Sequence, residues 1–113
     1  MSKYYTLEIR KPRGICWYER DGRKLKNDYG LELYVERRSM KNFVVTEAHS
    51  GGKLGEGSLR RLAIANFEKL VVERGIDEIR KRIQQCIGTH GVSPLFTDKP
   101  KYPIVALKKE VID

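Results

Sequence analysis

Ser50-Gly51-Gly52-Lys53-Leu54-Gly55-Glu56-Gly57-Ser58, residues 50–58, is where the chain changes character. Before it, apolar residues alternate or gather in short runs between turn signals, the period of strands. After it, they recur at helical spacing. Strands first and helices second predict an α+β fold: an antiparallel sheet of four to five strands packed on two consecutive helices. No repeat or linker divides the chain, so residues 1–113 read as a single α+β domain.

Upstream of the glycines, Tyr4 to Arg10 alternates, with Tyr5, Leu7 and Ile9 expected inward and Tyr4, Thr6, Glu8 and Arg10 outward. Lys11-Pro12-Arg13-Gly14 breaks that strand, and Ile15 to Arg20 forms the next. Asp21-Gly22 carries a turn signal, after which Arg23 to Lys26 pairs back. Leu31 to Arg37 alternates, with Leu31, Leu33 and Val35 inward and Glu32, Tyr34 and Glu36 outward. Phe43 to Ala48 is a further strand.

Downstream, Ser58 is a candidate helix cap, because its hydroxyl can accept from the first free amides. Leu59 to Arg74 then carries Leu59, Leu62, Ala63, Phe67, Leu70 and Val71 on one stripe, and Gly75 supplies a stop. A second helix is expected from Asp77 to Ile87, with Ile79, Ile83, Cys86 and Ile87 inward and Gly88 at its end. After a loop containing Pro94, Pro100 and Pro103, Ile104 to Lys108 reads as an edge strand. The expected core comprises Leu7, Ile9, Leu31, Leu33, Val35, Phe67, Leu70, Ile79 and Ile83.

The chain carries 23 Lys and Arg against 15 Asp and Glu, a formal +8. Residues 1–50 hold 11 basic and 7 acidic residues, and residues 51–113 hold 12 and 8, so each part is +4. There is no basic tail, and any binding surface has to be assembled by folding. Met1 to Thr6 lacks an apolar run, so no signal peptide is expected, and no stretch approaches the ~20 apolar residues of a membrane span. Cys16 and Cys86 are isolated, which suits a reducing compartment. Those features predict a cytoplasmic protein without a membrane partner.

No catalytic or metal motif stands out. In the glycine stretch, Lys53 is followed by Leu54 rather than Ser or Thr, so it does not fit a P-loop, and Glu56 would repel an anion. A flexible strand-to-helix connection is the reading adopted, and a nucleic-acid backbone contact through Lys53 is the alternative to it. Cys16, His49, Cys86 and His90 lack the Cys-x-x-Cys knuckle of a zinc site, and no cofactor is implied. Both cysteines fall where packing explains them. Glu32, Glu36 and Glu47 could converge as in a metal-dependent nuclease, but their spacing does not require it.

Basic residues cluster in Arg10-Lys11-Pro12-Arg13, in Arg20 with Arg23, Lys24 and Lys26, in Arg37-Arg38 with Lys41, and in Arg80-Lys81-Arg82. Trp17, Tyr18 and Tyr29 fall between the first three, which are predicted at strand ends and turns. Aromatics beside Arg and Lys suit a nucleic-acid surface. The segment Arg13-Gly14-Ile15-Cys16-Trp17-Tyr18-Glu19-Arg20-Asp21-Gly22, followed by Leu31–Arg37, Asn42–Ala48 and Ser58–Arg74, resembles the APETALA-type and integrase-arm-type DNA-binding domains over residues 13–74. That resemblance implies a three-stranded sheet set in a DNA major groove, with Arg13, Trp17, Arg20, Arg23 and Arg37 reading bases. Departures are Glu32 and Glu36 on the sheet face and Asn42 where those families carry a glycine.

These observations predict a small basic non-enzymatic protein that holds DNA or RNA phosphates through basic turns. The expected binding residues are Arg13, Trp17, Arg20, Arg23, Lys24, Arg37, Arg38, Lys41 and Lys53. The alternative is a protein-binding module or inhibitor docking on an acidic or nucleic-acid-processing partner, supported by Tyr4 and Tyr34. A metal-dependent nuclease stands third.

Overall fold

The structure is a computed structural model that describes residues 1–107. In chain order it contains β1 (Ser2–Arg10), β2 (Gly14–Leu25), β3 (Leu33–Ser39), β4 (Asn42–Glu47), β5 (Gly52–Gly57), α1 (Arg60–Arg74), α2 (Ile76–His90) and β6 (Ile104–Val105). The α+β expectation holds: β1 to β5 form an antiparallel path in sequence order, and β6 adds in parallel to β2. The predicted last strand is shorter than read, and its final residue, Lys108, lies outside the described residues.

β2 shapes the sheet. Its first nine residues pair with β1, and its last three pair with β3. Asp21-Gly22 is therefore strand interior, not a turn. Gly22 is buried where β2 passes from one partner to the other, and a Cβ there would stand 2.8 Å from the Val35 carbonyl oxygen. The sheet curls until β1 meets the β4–β5 turn, where the Leu7 N–H donates to the Gly51 carbonyl (3.2 Å). Gly51 has φ +71°, and a Cβ on it would lie 2.6 Å from the Trp17 ring, so the junction requires glycine.

One face of β3–β5 carries the aliphatic core. Leu33, Val35 and Val45 pack against Ala63 and Phe67 of α1, with Phe43, Leu54, Ile64 and Val71 around them. The glycine stretch is mostly strand rather than a loose connection. Gly55 and Gly57 let α1 seat on the strand backbone, since a Cβ at Gly55 would lie 2.5 Å from the Ala63 carbonyl oxygen and one at Gly57 2.7 Å from the Ala63 nitrogen. Contact that close between backbones leaves no room for side chains at Gly55 and Gly57, which is why the sequence of β5 carries no strand signal.

Across the sheet, the inside of the curl holds Tyr4 stacked on Tyr34 (centroids 4.8 Å apart), with Ala48 beside them. The face assignment read for β1 holds only in part: Tyr5 is buried and Arg10 exposed as expected, but Tyr4 and Thr6, read as outward, are buried too, and Ile9, read as inward, is 75% exposed. Tyr34 also points inward rather than out. Alternation marks two faces but cannot say which one is covered when aromatic and aliphatic residues sit on opposite sides. Leu33, Val35, Phe67, Ile79 and Ile83 are buried as expected, whereas Leu7, Leu31 and Leu70 are only half-buried.

The helices differ from expectation at their ends. Ser58 is exposed and makes no cap; the N-cap position is Leu59, without a side-chain bond. Gly75 alone separates α1 from α2, and its N–H closes α1 on the Val71 carbonyl (2.8 Å). α2 runs through Gly88 to His90 and stops at Gly91. The 91–103 segment then returns across the sheet: Ser93 N–H donates to the His49 carbonyl and Trp17 N–H to the Pro103 carbonyl, both at 2.8 Å. Among the described residues no helix is long and apolar enough to cross a membrane.

Candidate nucleic-acid interface

The nine expected contact residues separate into three groups. Trp17 is fully buried, so its ring has no free face on which a base could stack. Arg20, Lys24, Arg38 and Lys53 each have a carboxylate partner. Arg20 lies 2.6 Å from Glu8 and 3.9 Å from Glu36, and Arg38 lies 3.3 Å from Glu36. Lys24 pairs with Glu32 at 3.2 Å and Lys53 with Glu56 at 2.7 Å. Arg13, Arg23, Arg37 and Lys41 are exposed and have no carboxylate within 4 Å among the described residues.

The first pairs form a chain of charges inside the curl. Thr6 Oγ1–H and the Arg20 guanidinium both donate to Glu8 Oε2 at 2.6 Å, and Arg10 donates to Oε1 at 2.8 Å. Burial by itself would raise the Glu8 pKa. The bonds from Thr6, Arg20 and Arg10 outweigh it and hold the carboxyl at about 2. Glu36 accepts from Arg38 and from the Asp21 N–H (3.1 Å), and Arg38 also donates to Thr46 Oγ1. Burial, with the Glu36 charge second, raises the Tyr4 phenol above its ordinary value, while Arg38 and Thr46 act in the opposite sense. Arg20 and Arg38 are thus structural cations, committed to carboxylates that the fold encloses.

The unpaired cations sit at or beside turns, except Arg23, which lies within β2. Lys11 and Arg13 occupy the β1–β2 turn, where with Arg10, Pro12 and Tyr18 they line a cleft of about 230 Å³. Arg10 there lies over the Tyr18 ring, 4.2 Å from its centroid. Arg37 and Lys41 flank the β3–β4 turn, with Arg37 donating to the Ser39 and Met40 carbonyls. Pairing of Phe43 with Gly57 sets the end of β5, and so the start of α1, at that same end of the sheet. α1 begins there with Arg60 and Arg61, which sequence reading missed because they lie inside a helical stripe. Arg23 stands opposite Val35, two residues from Arg37 along β3, on the face that carries α1.

Other constellations resolve plainly. Cys16 and Cys86 are free thiols, and burial followed by the Glu47 charge raises the Cys86 thiol above its ordinary value. Among the described residues no three His, Cys, Asp or Glu side chains are arranged to hold a metal ion. Glu36 lies in the curl, Glu32 pairs with Lys24, and Glu47 is buried at the end of β4 and bonded to the turn that follows, so the three carboxylates do not converge. β2, β3 and β4 are adjacent and antiparallel, with α1 on one face. Their opposite face is turned onto β1 through the Tyr4–Tyr34 stack, and is not open as a groove-reading sheet would be. No family, no curated protein and no solved structure matches this chain.

Proposed function

We propose that this is a non-enzymatic nucleic-acid-binding protein that grips phosphates through its basic turns and does not read bases across the sheet. The supporting observation is the sorting of cations: Arg13, Arg23, Arg37 and Lys41 are exposed and unpaired among the described residues, whereas Arg20 and Arg38 are committed to internal carboxylates. Unpaired surface cations release counterions when they meet phosphate, so affinity should carry a steep salt dependence.

The test is fluorescence anisotropy with labelled single-stranded and duplex oligonucleotides between about 50 and 200 mM salt. Arg37→Ala with Lys41→Ala should flatten the log K against log[salt] slope by about 2 and weaken all sequences alike. Folding of that variant should be unchanged by circular dichroism. Absence of binding at the lowest salt, with every strand type, overturns the proposal. Exposed Met40 (81%), with Leu59 and Leu62 among the same cations, fits the second reading, an acidic protein partner. Nuclease-resistant, salt-tolerant capture of a stoichiometric partner would favour that reading instead.

A further inference from the structure

A second site lies away from the basic turns, where α2 crosses the end of β4. Glu47 is almost fully buried. Its Oε1 accepts from the Ser50 N–H (2.7 Å), and its Oε2 accepts from the His49 N–H and faces His49 Nδ1 (both 2.9 Å). The imidazole is also stacked on Phe96, with centroids 4.0 Å apart and planes 11° from parallel. A carboxylate at Nδ1 and a ring against one face fix both tautomer and orientation. Nε2 is left without a partner among the described residues, on a ring 39% exposed.

His49 lines a cleft of about 420 Å³, within the size range of small-molecule sites. Leu31, Ile83 and Ile87 supply apolar walls, and Arg80 and Gln84 supply donors from α2. Both carboxylates of the cleft are already compensated: Glu47 by three donors, Glu32 by Lys24 at 3.2 Å. Arg80 has no carboxylate within 4 Å among the described residues and bonds the Tyr29 carbonyl with one amino group, leaving further N–H donors. Compensated acids, one uncommitted guanidinium and apolar walls form a site for an oxyanion attached to a small apolar body, beside which the fixed imidazole offers Nε2 as an acceptor.

We propose that this cleft binds a small molecule bearing a carboxylate or phosphate, with Arg80 as counter-charge donating to the oxyanion, His49 Nε2 as the acceptor for a hydroxyl of the same ligand and Glu47 as the residue that positions the imidazole. The site is independent of the basic turns. Its test is NMR titration of the ¹⁵N-labelled protein with sodium benzoate and, separately, with inorganic phosphate. Saturable shifts at His49, the Gln84 side-chain amide and the Arg80 region are expected, with a Kd near or below about 10 mM. Tighter benzoate binding assigns a carboxylic acid, and tighter phosphate binding a phosphate ester; either supports the site. Arg80→Gln, on an exposed helix position, should weaken binding at least tenfold. Ring ¹⁵N shifts of the unaltered protein should report His49 protonated at Nδ1, a signature that Glu47→Gln should mix. Linear, non-saturating shifts, shifts confined to Arg37 and Lys41, or an Nε2-protonated ring would overturn the proposal.

Discussion

On the α1 side of β3–β5, Leu33, Val35 and Val45 meet Ala63 and Phe67 with no charge among them. On the other side, Tyr34, Glu36 and Arg38 face Tyr4, Thr6, Glu8 and Arg20, and a chain of ion pairs links the two halves of the curl. The first contact is governed by shape: a strand stripped to glycine so that a helix backbone can rest on it. Its stability should answer to volume and hardly at all to pH. The second is governed by charge neutrality, and its stability should answer to protonation. Only some of the surplus cations are free to bind anything, because the curl consumes Arg20 and Arg38.

The sharpest way to break the shape-governed side is Gly55→Val. Its Cβ would fall 2.5 Å from the Ala63 carbonyl oxygen, inside any tolerable contact, so α1 must lift. A loss above about 4 kcal/mol is expected, read by urea unfolding. Phe67→Ala should cost about 3–5 kcal/mol by the same measurement, from lost burial and the cavity left behind. A cost under ~1 kcal/mol for either would mean that α1 is not seated as described.

The charge-governed side should break in acid. Glu8 has its folded pKa depressed from the ordinary 4.5 to about 2, and its side chain is 24% exposed. Its contribution is therefore complete above pH 4.5 and is lost as the pH falls from there toward 2. That amounts to about 3 kcal/mol. Glu8→Gln should remove this part of the acid slope, measured as unfolding free energy against pH, while Phe67→Ala leaves the slope intact. The smallest expected effect is favourable. Gly88 lies in the last turn of α2 with nothing within 4 Å of a Cβ, so Gly88→Ala should raise stability by about 0.5 kcal/mol.

Much of the architecture was legible along the chain. Alternation in Leu31–Arg37, the run Phe43–Ala48 and the helical stripe through Ala63 and Phe67 are local signals, and each marks an element whose observed ends, Leu33–Ser39, Asn42–Glu47 and Arg60–Arg74, are shifted by at most two residues. The misread places are those where a distant partner sets the requirement. Gly51, Gly55 and Gly57 look like a loop until Leu7 and Ala63 are placed against them, and Asp21-Gly22 looks like a turn until Val35 passes over it. Of the expected contact residues, the turn cations Arg13, Arg37 and Lys41 stand exposed as read, because a turn is surface wherever it is placed. The fates of Trp17 and Arg20 depend on Gly51 and Glu8, 34 and 12 positions away, which no local pattern encodes, whereas Arg38 pairs with Glu36 only two residues back along its own strand. Glu47 and His49 gave one faint sign, two polar residues at the end of a buried strand, and only the return of α2 and Phe96 turned them into the wall of a cleft.

Composition and periodicity alone established the surplus of positive charge, the order of strands before helices and the aliphatic stripe that joins them, since these depend on residue type and on spacing between near neighbours. Tertiary structure decided which face of β1 is covered, which cations stay free and where a histidine meets a carboxylate. Those outcomes are set by the curling of the sheet, which brings residues remote in sequence within bonding distance and lets burial and charge pairing choose among them.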